Sequence, residues 1–244
     1  MIEIRELKQN SEFVEAVKLQ KSIWGFDELD LLPVRLFVTA SKIGGQSFGA
    51  YDGNRMVGFC LAIPGIKAGA KSYLHSHMLG VIKEYRDAGL GRAMKLAQRK
   101  LALEEGVDLM EWTFDPLEIK NAYFNIERLG AIVRRFVLNQ YGTTSSPLNA
   151  GLPTDRCTAE WWLKSARVEA ILAAKEPERP EVLARISITN DIYDIKANDP
   201  KKAREIQKEV AEQFLEHFEN HLVVTGFERS EEFGSYLLSK WESK

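Results

Sequence analysis

The stretch Leu79-Gly80-Val81-Ile82-Lys83-Glu84-Tyr85-Arg86-Asp87-Ala88-Gly89-Leu90-Gly91-Arg92 decides how the rest of the chain is read. It joins a strand-like run to a helix-like run through a polar turn that carries two glycines. Upstream, Tyr73, His75, His77, Leu79 and Val81 alternate with their neighbours, which puts them on one face of a strand from Lys71 to about Ile82. Downstream, Ala93, Leu96, Ala97 and Leu101 form one stripe of a helix that ends at Gly106. Free N–H groups at a helix start point the same way and sit at the positive end of the helix dipole. Glycine adopts positive φ and lets the backbone approach a bulky anion. A pyrophosphate is the natural occupant of such a nest.

Two other phosphate loops are excluded. A Walker loop ends in Gly-Lys-Ser/Thr, whereas Gly91 is followed by Arg92-Ala93. A dinucleotide fingerprint needs a third glycine where Met94 stands, and no early βαβ unit precedes it.

Outward from this stretch the first half alternates strand and helix patterns. Ile2 and Ile4 open a short strand. Phe13, Val14, Val17 and Ile23 recur at helical spacing, and Pro33 to Ile43 reads as a second helix closed by Gly44-Gly45. Asp52-Gly53-Asn54 between two apolar runs is a hairpin signal. Beyond Gly106 come a strand (109–114), a helix (119–129) closed by Gly130, and a strand (132–138). The order argues for an α/β (α+β) domain on one mixed sheet flanked by helices. Residues 143–155 read as a loop, and Pro177-Glu178-Arg179-Pro180 reads as a linker. The remainder is a smaller α/β extension: a strand carrying Trp161 and Trp162, a short helix, a strand at 183–188, a long helix, and strands near 222–227 and 236–241. Asp199 and Pro200 mark the start of the long helix. The expected domains are 1–148 and 149–244, and the last quarter invites reading as a degenerate half-copy of the first domain.

Of the 244 residues, 45% are hydrophobic and 28% charged, the balance of an ordinary globular protein. A formal charge of −2 with mixed signs gives no footprint for nucleic acid. Cys60 and Cys157 match no metal or redox spacing, and Cys60 in its apolar run reads as a buried, inert thiol. The start of the chain alternates like a strand, unlike a signal peptide. Its most apolar run, 56–66, is interrupted by Gly58 and Pro64 and falls well short of the roughly 20 residues a membrane span needs. The expectation is a soluble, cytoplasmic protein without a membrane or metal partner.

With its context, the opening stretch resembles the GNAT superfamily of acetyl-CoA-dependent N-acetyltransferases. The family form is Val-x-Pro-x-Tyr-Arg-Gly-x-Gly-x-Gly or Ala, and Val81, Tyr85, Arg86, Gly89 and Gly91 match it, while Lys83 replaces the proline. The likeness covers about residues 1–142 in element order. It also suggests a bacterial subfamily in which Leu152-Pro153-Thr154-Asp155-Arg156 and Glu160-Trp161-Trp162 follow the core. The resemblance implies a GNAT-like, mostly antiparallel sheet and transfer of an acetyl (acyl) group from acetyl-CoA to a small-molecule or peptide amine by direct attack. It implies pantetheine bonded by the backbone of Leu79, Gly80 and Val81, and pyrophosphate held by amides of Arg86, Asp87, Ala88, Gly89, Leu90, Gly91 and Arg92. Asn121 and Asn125, four apart on a helix, are candidates for the pantetheine amides.

A lysine-like amine with pKa about 10.4 costs roughly 4 to 5 kcal/mol to deprotonate at pH 7, which calls for a base or a water relay. Counting back from Arg86 puts His77 at the family's base position, with a packed sheet histidine as the competing account; His75 is a second candidate. The family's helix tyrosine falls at Ile126, so Tyr123, nearly one turn earlier, is the substitute acid. Glu111 and Asp115 lie near where an amine would arrive. Trp161 and Trp162 read as pocket wall, core or homodimer contact. Two alternatives stay open: a non-catalytic coenzyme A-binding regulatory module, or an acyltransferase for a longer acyl or aminoacyl donor.

Overall fold

The computed structural model describes residues 1–69, 71–142 and 150–241. They fall into two compact units, Met1–Glu111 and Trp112 onwards. The first runs β1 (Ile2–Glu6), α1 (Asn10–Trp24), α2 (Val34–Lys42), β2 (Gln46–Asp52), β3 (Arg55–Lys67), β4 (Lys71–Val81), a 3-10 turn (Lys83–Tyr85), α3 (Leu90–Glu104) and the start of β5 (Leu109–Phe114). Its strands lie in the order β1-β2-β3-β4-β5. The first three pairings are antiparallel and β4–β5 is parallel. The hairpin turns on Gly53-Asn54, with Gly53 at φ 57°. Phe13 stacks on Phe37, which meets Phe59 of β3 at a tilt, centroids 5.8 and 6.0 Å apart.

Helix α3 begins at Leu90, a turn earlier than its expected stripe. Its deepest face is Leu90, Met94, Lys95, Gln98 and Ala102, not Ala93, Leu96, Ala97 and Leu101, which are half-buried beside it. The inner face carries a lysine and a glutamine, which disguises it in a reading by hydropathy.

The second unit runs from the end of β5 through α4 (Ile119–Tyr123), a π-helical turn (Phe124–Arg128), β6 (Ile132–Val137) and β7 (Arg156–Trp162). It continues with α5 (Ala166–Leu172), β8 (Ala184–Thr189), α6 (Ile192–Asn198), α7 (Pro200–Glu219), β9 (Leu222–Arg229) and β10 (Phe233–Lys240). Its strand order is β7-β6-β9-β10-β8, with antiparallel registers throughout the described pairings. Asp199 caps α7 by accepting from Lys202 N at 3.0 Å. Phe214 of α7 stacks on Phe136 at 5.2 Å and meets Tyr236 edge-on at 5.0 Å.

The fold class is as expected, a mixed and mostly antiparallel sheet with helices. The units divide differently. The expected boundary at 148–149 lies outside the described residues, as does much of the expected 143–155 loop. The extension does not stand apart from residues 112–137, because β9 pairs with β6 through Val133 and Val224. Pro177-Glu178-Arg179-Pro180 is a packed strap, with Pro177 buried and Arg179 paired to Glu127 at 2.8 Å. Nor is the last quarter a half-copy: β8 pairs with β10, whereas β1 pairs with the next strand after its helices, β2.

Candidate active site

Gly89 is the N-cap of α3 at φ 78°, and the first helical bond runs from Ala93 N to Gly89 O at 3.0 Å. The amides of Leu90, Gly91 and Arg92 therefore have no acceptor within the helix. No side chain caps this start and no acid occupies its first turn. Asp87, where the family motif has its first glycine, sits at φ 61°. Asp is one of the few residues that tolerate this region. Residues 86–89 are exposed, and a Cβ added at Gly89 would meet nothing within 4 Å. Arg92 Nε is buried without a hydrogen-bond partner. Arg86 folds back instead, donating from Nε to Val81 O (3.1 Å) and from Nη2 to Ile23 O (3.4 Å). Its side chain braces the end of β4.

On β4, the register to β3 steps from Ala62–Ser76 to Leu61–Met78, which leaves His77 as the extra residue of a bulge. Tyr73, His75, His77, Leu79 and Val81 share the half-buried face, as the alternation implied. The rings of His75 and His77 lie 5.8 Å apart. Burial pushes the His77 imidazole below its usual range, so it is neutral near pH 7. The parallel register to β5 pairs Leu74 with Met110 and His75 with Glu111, two positions in an eleven-residue strand. Glu111 is buried in an ion pair with Lys67, whose ammonium also lies 5.3 Å from the Tyr73 ring centre. It is a matched carboxylate. Gly80 sits where a Cβ would lie 2.7 Å from Trp24, so the α1–β4 contact needs the missing side chain.

The second unit holds the remaining candidates. Asn121 is exposed, whereas Asn125 is buried and accepts from the Trp112 indole N–H at 3.1 Å. The π-helical turn starts between them, so the two do not share the environment that a spacing of four in a regular helix implied. Tyr123 is half-buried beneath Arg229, 5.4 Å from guanidinium carbon to ring centre. Ile126 is fully buried. Asp115 pairs with Lys196 at 3.0 Å, and Lys196 also reaches Glu118 at 3.1 Å, so this acid too is matched. Trp161 is fully buried, donating to Leu129 O at 2.7 Å and meeting Trp112 edge-on; Trp162 is 38% exposed. Neighbours on a strand face opposite ways, which separates the two tryptophans.

Sequence reasoning passed over three buried cations. Lys95 donates to Ser76 Oγ at 2.7 Å. Arg167 donates to the carbonyls of Gly130 and Ile126 at 3.1 and 3.2 Å, closing the end of the π-helical turn. Lys196 ties down the loop after β5. For Lys95 the signal was present: a cation three residues before a glutamine on the face beneath β4. Cys60 and Cys157 are free and buried, and burial pushes the Cys60 thiol up to about 12. Among the described residues no group of three or more His, Cys, Asp or Glu is placed to hold a metal, and no helix is long and apolar enough to cross a membrane.

No family model and no curated protein matches the chain. Solved structures do. One is a Desulfovibrio desulfuricans protein assigned to the acetyltransferases of the GNAT family, 13% identical, with 67% of this chain and 99% of that one covered at a TM-score of 0.52. The ribosomal-protein-S18-alanine N-acetyltransferase of Escherichia coli is 17% identical, with 68% and 96% covered and a TM-score of 0.52. Arabidopsis thaliana NAA60, in complex with a bisubstrate analogue, is 14% identical, with 66% and 98% covered and a TM-score of 0.53. At such identities the likeness is one of architecture, and by architecture the chain is a GNAT-fold protein.

Proposed function

We propose that the protein is an acyl-CoA-dependent N-acyltransferase that moves an acetyl (acyl) group from acetyl-CoA to a small-molecule or peptide amine. The observation that carries this reading is the bare start of α3. Three unopposed amides, an acid-free first turn, open space over Gly89 and the orphaned Arg92 Nε suit a pyrophosphate. The residues present fit the coenzyme. In the reaction, His77 accepts the proton shed by the amine as its nitrogen bonds to the thioester carbon. A backbone N–H among Leu79 to Val81 faces the carbonyl oxygen that takes up the electron pair. The pair then returns, the carbon–sulfur bond breaks, and the departing thiolate takes up a proton from solvent. The neutral state that burial gives His77 suits it to the first step. The name of the Escherichia coli neighbour is consistent with an amine acceptor.

Calorimetric titration with acetyl-CoA, beside a Gly89→Trp variant, tests the site. The expected result is micromolar binding that the variant abolishes, followed by thiol release with a panel of amines. If neither acetyl-CoA nor free coenzyme A binds, the reading fails. Binding without thiol release from any amine favours a regulatory module.

A further inference from the structure

We propose that Lys95 is a positioning residue: acting through Ser76, it holds the β4 bulge that presents His77. The inference rests on the reading of His77 as the base. Lys95 is the sixth residue of α3, the helix whose start forms the anion nest, and it is 3% exposed. Its Nζ donates to Ser76 Oγ at 2.7 Å, and that hydroxyl donates to Gln98 Oε1 at 3.1 Å. Ser76 is the last residue in register before the extra one, since its pair with Ala62 is followed by Leu61–Met78. The polar chain therefore grips the buried face of the strand at the step where the ladder is interrupted.

A bulged residue leaves its partner strand unpaired locally, and a slip of one residue would turn His77 to the other face. Leu74 and Met78 pin the buried face on either side of the step, but Ser76, at the step itself, is small and offers little to pack. A directed bond from a long side chain supplies what packing does not. The arrangement is costly in itself: burial lowers the Lys95 ammonium to about 7, against a small opposing pull from Cys60. A methionine would fill the same space without that cost. What it lacks is the donor, so the proposal separates fold from function in a way that a core residue would not.

The test uses the full chain and two variants, Lys95→Met and Ser76→Ala. The His77 imidazole is followed by NMR through a pH titration and assigned with His75→Asn. Coenzyme A affinity is measured by calorimetry. Both variants should fold and bind coenzyme A within about twofold of wild type, because the nest amides are untouched. The His77 midpoint should move by at least about half a pH unit, since its surroundings are no longer fixed. With an amine accepted by the wild type, kcat should fall about tenfold or more at unchanged KM for acetyl-CoA. A folded Lys95→Met with an unaltered His77 titration and wild-type kcat would overturn the proposal. Should the methionine variant not fold, Ser76→Ala, which removes a single hydroxyl, reads the same outcome. If the wild type binds no coenzyme A, the functional reading falls, while the His77 titration still decides whether Lys95 positions it.

Discussion

At the scale of single residues, Lys95 makes the stability of the first unit depend on pH. Its ammonium is held to about 7 in the folded chain and returns to about 10.4 on unfolding. Between those values the unfolded chain binds more protons, so this group raises stability as pH climbs from about 7. Below that it is charged in both states and its penalty is constant. Urea unfolding of wild type and Lys95→Met at pH 7 and pH 9 checks the sign. The wild type should gain about 2 kcal/mol on the variant between the two values, and an equal response would show that Lys95 is not desolvated. His77 is shifted in the same direction by the same cause. The two bases lie against opposite faces of β4, His77 on its half-buried face and Lys95 of α3 against its buried one.

At the scale of elements, the approach of α1 to β4 depends on Gly80. A Cβ there would lie 2.7 Å from Trp24 and 2.9 Å from Ile23, both side chains. Gly80→Ala should cost about 1 to 3 kcal/mol in chemical denaturation. Gly89→Ala, in open space, should cost only the roughly 1 kcal/mol of a left-handed conformation. If both cost the same, the α1–β4 contact yields to a methyl group and does not depend on Gly80. The elements that sequence reasoning recovered are those specified locally. Gly53-Asn54 turns its own hairpin, Asp199-Pro200 starts its own helix, and β4 shows its two faces by alternation. The elements it mistook are specified from a distance. The inner face of α3 is polar because Ser76 and Gln98 answer Lys95 there. The helix after β5 opens into a π-turn whose last carbonyls are met by Arg167, forty residues on. Helix α6 was not foreseen, and neither spacing nor propensity places β10 between β9 and β8. For the site, the loop was legible as a motif, but the bulge that singles out His77 is a matter of register and has no signature in one strand.

At the scale of the whole molecule, the extension is part of the second unit's construction. Lys196 holds Asp115 and Glu118, the Tyr236 hydroxyl donates to Pro116 O at 2.7 Å, and Glu127 accepts from Phe227 N at 2.8 Å. These buried ties all come from residues beyond the strap at 177–180. A chain ending at Lys175 should therefore lose more than a surface domain: β6 loses β9, and Asp115 and Glu118 lose their cation. Circular dichroism and gel filtration of that truncation should show loss of cooperative unfolding and aggregation. A monomeric, cooperatively folded fragment would mean that the extension is dispensable.

The pairing of β6 with β9 also has a consequence for biosynthesis. Val133 meets Val224, about ninety residues later in the chain. At about 5 to 20 residues per second, the ribosome delivers the partner some 5 to 20 s after β6 has emerged. Strands β1 to β4 can find one another well before then, but β6 must wait with one edge bare. An exposed edge is a template for other chains. The nascent protein therefore has a defined interval of vulnerability, in which a chaperone that shields strand edges would raise the yield and a synonymous slowing of translation after residue 137 would lower it.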